Sequence, residues 1–175
     1  MSTPRIAPGQ LKELGLINNT ISVLAGRVIG GRKPNIFTTL GRQRGLFRAW
    51  LWYSSKMMPG GKLPRRETEL VILRIATNRE CDYEYGHHAR IGRKVGVTQD
   101  ELDNIRDSTW FGWSARERAL FAAVDELGTM RDIADKTWTE LAIHLKQPEL
   151  IELLLLSGQY ESLATTLMTL RIQPD

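Results

Sequence analysis

The only cysteine of the chain, Cys81, begins the stretch C-D-Y-E-Y-G-H-H-A, and Glu84 and His88 follow it three and seven residues later. On a helix opening near Asp82, offsets of three, four and seven fall on one face. A thiol, a carboxyl and an imidazole would therefore line a single stripe. Cys81 would sit at the positive end of the helix dipole, which favours thiolate and lowers a thiol pKa. Glu84 and His88 would be placed to pass protons. A plainer alternative stands beside this one. A lone cysteine also packs as a small buried hydrophobe, and Glu84 with His88 also reads as a surface pair four residues apart.

The preceding helix must position that stripe. Residues 65–79 carry Leu70, Val71, Ile72, Leu73, Ile75 and Ala76, apolar on most sides, so this helix is expected to be central. Glu69 shares its face with Ile72, Leu73 and Ala76. Burial there raises a carboxyl pKa unless a partner holds the charge. Glu69 is thus either a second proton-handling group or half of an ion pair with Arg65, Arg66 or a more distant arginine. Pro64 suits the first turn of this helix. The Cys81 helix should end at Gly96, a suitable carboxy-terminal cap.

Helical signals fill the rest of the chain. Thr98 with Glu101, and Ser114 with Glu117, are capping-box patterns. They open helices to about residue 107 and about residue 130. Ile133 to Leu145 and Pro148 to about Leu170 read as two more. Trp110, Phe111 and Trp113 lie in a loop that either covers the site or seals the core. Upstream, residues 1–9 read as an arm, and Leu11 to Leu24 as one or two short helices. Gly30, Gly31 and Pro34 break the chain, and Asn35 is placed to cap the next helix. Ile36 to Met58 reads as helix interrupted around Gly41 to Gly45, its aromatic residues serving core or subunit contact. No β pattern, repeat or low-complexity tract is evident. The expected fold is all-α, a single domain of about eight helices over residues 1–175.

Composition narrows the function classes. One cysteine excludes an intramolecular disulfide framework and fits a reducing cytoplasm. The leucine run Leu153 to Leu156 is far short of a membrane span. The net charge of +4 hides a division: from Leu14 through Arg66 there are ten Lys and Arg and no Asp or Glu. Such a segment attracts anionic small molecules or the acidic half of a neighbouring subunit. No nucleic-acid motif accompanies it, so neither nucleic acid nor membrane is expected as a partner.

The spacing around Cys81 resembles the carboxymuconolactone decarboxylase and alkylhydroperoxidase D family. Its peroxidase branch reads Glu, eleven residues, Cys-x-x-Cys, three residues, His. Glu69, Cys81, the frame Cys81-Asp82-Tyr83-Glu84 and His88 fall at those positions, and A-R-I-G-R-K-V-G-V-T-Q-D-E-L continues the likeness. The resemblance is clearest over about residues 63–102 and extends over a core of about residues 50–127. It implies an all-α bundle, a ring-like homo-oligomer, often a trimer or hexamer, and a site of Glu69, Cys81, Glu84 and His88. Glu84 replaces the cysteine that attacks peroxide, and Cys81 matches the resolving cysteine. Two-cysteine turnover within one subunit is therefore excluded.

Two enzymatic readings are open. One is decarboxylase-like acid–base chemistry on a small, anionic organic substrate, with Glu69, Glu84 and His88 handling protons and Cys81 as a polar wall or proton donor. The other is a single-cysteine peroxidase, in which a Cys81 sulfenic acid is resolved by an external thiol reductant. A divalent-metal site would need Glu69 and His144 to approach the Cys81 helix, because bundle metal sites draw on several facing helices. No cofactor or metal is expected. A ligand-binding oligomer without catalysis is the remaining class. His87 is expected at a subunit contact or in solvent, and Tyr160 either packs in the core or donates its hydroxyl into a pocket.

Overall fold

The computed structural model describes residues 3–29 and 31–175. Among the described residues there are nine helices and no strand. They are α1 (Leu11–Ile29), α2 (Asn35–Leu40), α3 (Arg44–Met57), α4 (Arg65–Asn78), α5 (Asp82–Lys94), α6 (Gln99–Asp103), α7 (Ala115–Met130), α8 (Asp135–His144) and α9 (Gln147–Leu170). The all-α expectation holds. The interruption expected around Gly41 to Gly45 separates α2 from α3. Contacts sort the chain into two compact units, Met1–Lys56 with Thr166–Asp175, and Met57–Thr165. The reading of residues 1–175 as one domain did not anticipate that division.

In the first unit, α1 consists of two helical pieces that meet at Gly15, whose non-helical φ of 72° suits glycine. The expected break at Gly30 lies outside the described residues. The amino-terminal arm is tied down: the Arg5 amide donates to the Leu170 carbonyl at 3.0 Å, and the Gly9 amide to Thr38 at 2.9 Å. Asn35 does not cap α2. Its side-chain amide instead donates to the carbonyls of Gln173 at 3.1 Å and Pro174 at 3.2 Å. Phe37, Phe47 and Trp50 form an edge-packed aromatic cluster, with centroids 5.4 to 6.1 Å apart.

The second unit is built around α4. Every residue from Thr68 to Thr77 is buried. The continuous apolar run Leu70–Leu73 explains this, because a helix that is apolar on all sides can satisfy its surface only when neighbours surround it. Each of those side chains contributes about 1.5–3 kcal/mol through burial. Leu70 and Leu73 pack with Ala89, Val97, Leu102, Ile105, Trp113 and Phe121. The buried arginine of α4 is paired. Arg74 makes a two-pronged contact with Asp125 at 2.8 and 2.6 Å and donates to the Ile105 carbonyl at 2.6 Å.

Both capping boxes form, at Thr98–Glu101 and Ser114–Glu117. Helix α6 is shorter than expected and stops at Asp103, after which turns lead to Trp113. That loop seals the core. Trp113 is buried, packs edge-on against Phe121 at 4.9 Å, and donates its indole N–H to the Asp107 carbonyl at 2.8 Å. Phe111 points away and is 91% exposed. No helix among the described residues is long and apolar enough to cross a membrane.

Candidate active site

Helices α4 and α5 are joined by a tight turn that sets the geometry of the site. Glu80 adopts the left-handed conformation at φ 53°. Its amide donates to Thr77 at 3.1 Å, and the Cys81 amide donates to Ala76 at 2.8 Å. These two bonds are the pair that closes a helix by the Schellman pattern. The turn folds α5 back along α4 with Cys81 as its N-cap residue. The stripe on α5 consequently faces the stripe on α4. Gly96, at φ 95°, follows the end of α5 as expected.

All four sequence-chosen residues are buried: Glu69 at 0%, Glu84 at 2%, Cys81 at 3% and His88 at 7% exposure. The surface-pair reading of Glu84 and His88 is thereby excluded. His88 does not engage Glu84 but Glu69, with Nδ1 2.6 Å from Oε2. Arg65, one turn before Glu69, forms an ion pair with the other carboxylate oxygen. That guanidinium holds Glu69 as the acceptor, so Nδ1–H donates and Nε2 is the ring nitrogen left for proton exchange. The two readings of Glu69 thus merge, since it is both ion-paired and bonded to the imidazole. Arg66 lies elsewhere, bound to Glu101 and Glu117.

Glu84 is the uncompensated group. Neither carboxyl oxygen has a partner at hydrogen-bond geometry. Burial pushes its pKa up to about 8, with a smaller contribution from the negative charge of Glu161; the nearby Cys81 thiol opposes the rise. At neutral pH the side chain is mainly a neutral carboxylic acid. Cys81 departs from the sequence expectation. Burial, together with Glu84 and Asp82, pushes the thiol up to about 11, although the Glu84 backbone amide works the other way. A rise of that size corresponds to a few kcal/mol against the thiolate. A helix terminus supplies roughly 0.3–1 kcal/mol to an exposed charge, so desolvation wins.

Tyr160 on α9 lies against His88, ring edge to ring face, with centroids 5.1 Å apart. Burial, then the charges of Glu69 and Glu84, hold its phenol well above the usual range. Its hydroxyl donates to the Met58 sulfur at 3.6 Å. His87 stacks on Tyr83 at 4.7 Å and stays outside the cluster. His144 is 3.5 Å from Glu140. Among the described residues no three His, Cys, Asp or Glu side chains are grouped to hold a metal ion. Sequence reasoning missed Glu161, the charge from α9 that acts on Glu84. It lies far along the chain, and no local spacing marks it.

Residues 44–126 match the carboxymuconolactone decarboxylase family. The matched segment contains α3 to α6 and most of α7, hence Glu69, Cys81, Glu84 and His88. No curated protein matches the chain in sequence. Solved structures repeat the fold. An alkylhydroperoxidase AhpD core protein from Ralstonia eutropha JMP134, described as peroxidase-related, superposes with a TM-score of 0.87 at 17% identity, covering 100% of this chain and 94% of that one. A peroxidase-related protein from Silicibacter sp. TM1040 gives 0.85 at 12% identity, covering 100% and 95%. A Cys-to-Ala variant of the debrominase Bmp8, in complex with 2,3,4-tribromopyrrole, gives 0.84 at 16% identity, covering 100% and 93%. At these identities the likeness establishes the AhpD-like fold.

Proposed function

We propose that this chain is an acid–base enzyme of the carboxymuconolactone decarboxylase type, acting on a small organic acid at Glu69, Cys81, Glu84 and His88. The observation that carries the reading is Glu84: a buried carboxyl without a hydrogen-bond partner, titrating near neutrality. That pKa suits a general acid, because proton transfer is most effective when the donor's pKa lies near the working pH. In a decarboxylation the bond between the substrate carbon and its carboxylate breaks. Its electron pair passes into an adjoining carbonyl system and carbon dioxide leaves. Glu84 then gives its proton to the carbon, and the Glu84 carboxylate takes a proton back from solvent water, with Nε2 of His88, held by Glu69 and Arg65, as the relay. Cys81 stays a neutral thiol and forms part of the wall. The active unit is a homo-oligomer.

The test is release of carbon dioxide from a panel of carboxylated lactones. Glu84→Gln and His88→Ala should each lower turnover of the substrate found by about 100- to 10,000-fold. Unchanged turnover in both variants rejects the reading.

The names of the solved relatives favour a second reading, thiol peroxidase activity. Cys81 would attack a hydroperoxide, giving a sulfenic acid and an alcohol. One external thiol would form a mixed disulfide with loss of water, and a second would release Cys81 and leave as a disulfide. The raised thiol pKa opposes this reading at neutral pH, because the thiolate is the nucleophile.

A further inference from the structure

A groove of about 440 Å³ is lined by Arg79, Leu127, Arg131, Leu154, Ser157 and Glu161, among others. Three features set it apart. Ser157 is 2% exposed, and its hydroxyl has no hydrogen-bond partner. A buried hydroxyl without a partner has lost its water and gained nothing in return, so a ligand that accepts from it recovers that cost. Arg131 ends α7 in a left-handed conformation at φ 62°. It is exposed, and among the described residues no acceptor engages its guanidinium. Arg79 is already held by Glu161 and donates to the Gly128 carbonyl at 3.1 Å. Arg131 is therefore the cation left for an incoming group, while Leu127 and Leu154 supply an apolar wall.

We propose that this groove binds the carboxylate of a small organic acid, with Arg131 as its anchoring cation and Ser157 as a hydroxyl donor. A planar guanidinium matches a carboxylate with two parallel hydrogen bonds, and the leucines receive a flat apolar body. Glu161 ties the groove to the site: it lines the groove and its charge acts on Glu84. A ligand bound here shares Glu161 with the electrostatic surroundings of the buried acid. The groove thus supplies the binding end for the substrate class proposed above and rests on that reading, although its occupancy is measurable without turnover.

The experiment is calorimetric titration of the full chain with benzoate and with benzamide, its neutral counterpart. Benzoate should saturate below about 10 mM, and benzamide should bind at least about tenfold more weakly. Arg131→Gln, at an exposed position, should weaken benzoate about tenfold or more, and Ser157→Ala about threefold. Wild-type affinity in Arg131→Gln, equal affinity for both probes, or no saturation overturns the proposal. Its failure is separable from failure of the acid–base reading. The first appears as unaltered benzoate binding in Arg131→Gln, the second as unaltered turnover in Glu84→Gln.

Discussion

Nδ1 of His88 lies 2.6 Å from Oε2 of Glu69, joining α5 to α4 across the buried centre of the second unit. The carboxylate fixes the imidazole tautomer and its direction. Glu69→Gln removes the anion that Arg65 and His88 share. Turnover should fall about 100-fold, with partial recovery in Glu69→Asp. Nitrogen NMR of His88 should show the Nδ1–H form giving way to a mixture of tautomers. A single unchanged tautomer in Glu69→Gln would remove Glu69 from its positioning role.

Glu84 makes stability pH-dependent with a defined sign. Its folded pKa is about 8, above the ordinary 4.5. Between those values the folded state binds more protons than the unfolded state, so stability falls as pH rises. The contribution is intact below about pH 4.5 and is progressively lost up to about pH 8, amounting to a few kcal/mol at most. Glu84→Gln should flatten that decline and raise the melting temperature at pH 8 relative to the wild type. Urea denaturation at pH 5, 6.5 and 8 measures it. Parallel slopes for the two proteins would show that Glu84 does not titrate in this window.

Cys81 should be a slow thiol. With its pKa pushed up to about 11, alkylation by iodoacetamide should be slow at neutral pH and accelerate up to about pH 11. Stoichiometric peroxide at pH 7 should leave no trappable sulfenic acid. In Glu84→Gln the neighbouring negative charge is gone, so the thiol should titrate lower and react faster at pH 8–9. Rapid oxidation of the wild type at pH 7 would instead support the peroxidase reading.

Glu80 holds a left-handed conformation at the turn between α4 and α5. For a residue with a side chain that costs roughly 1–2 kcal/mol, which glycine avoids. Glycine also loses more chain entropy on folding, about 0.5–1 kcal/mol. Glu80→Gly should therefore stabilise the protein by up to about 1 kcal/mol with the site intact. A destabilised variant would mean that the Glu80 side chain contributes something beyond the turn.

The helices were legible because their signals are local. The two capping boxes, the apolar run of α4 and Gly96 after α5 each act within one turn of chain. The Cys81–Glu84–His88 stripe was legible for the same reason, since a spacing of three to seven residues fixes a shared face. The division into two compact units was not legible, because it depends on contacts between distant segments. Nor was the ordered amino-terminal arm, held by carbonyls of Thr38 and Leu170.

The sequence by itself determined that Glu69, Cys81, Glu84 and His88 would be carried by two successive helices. The tertiary structure decided their chemistry. It placed Glu69 between Arg65 and His88, left Glu84 with no hydrogen-bond partner, and set Glu161 close enough to act on it. It also reversed the expected state of Cys81. The sequence shows the helix terminus beside the thiol, but the protein around the thiol removes its water. In that setting the cost of desolvating a charge exceeds the attraction of a helix dipole.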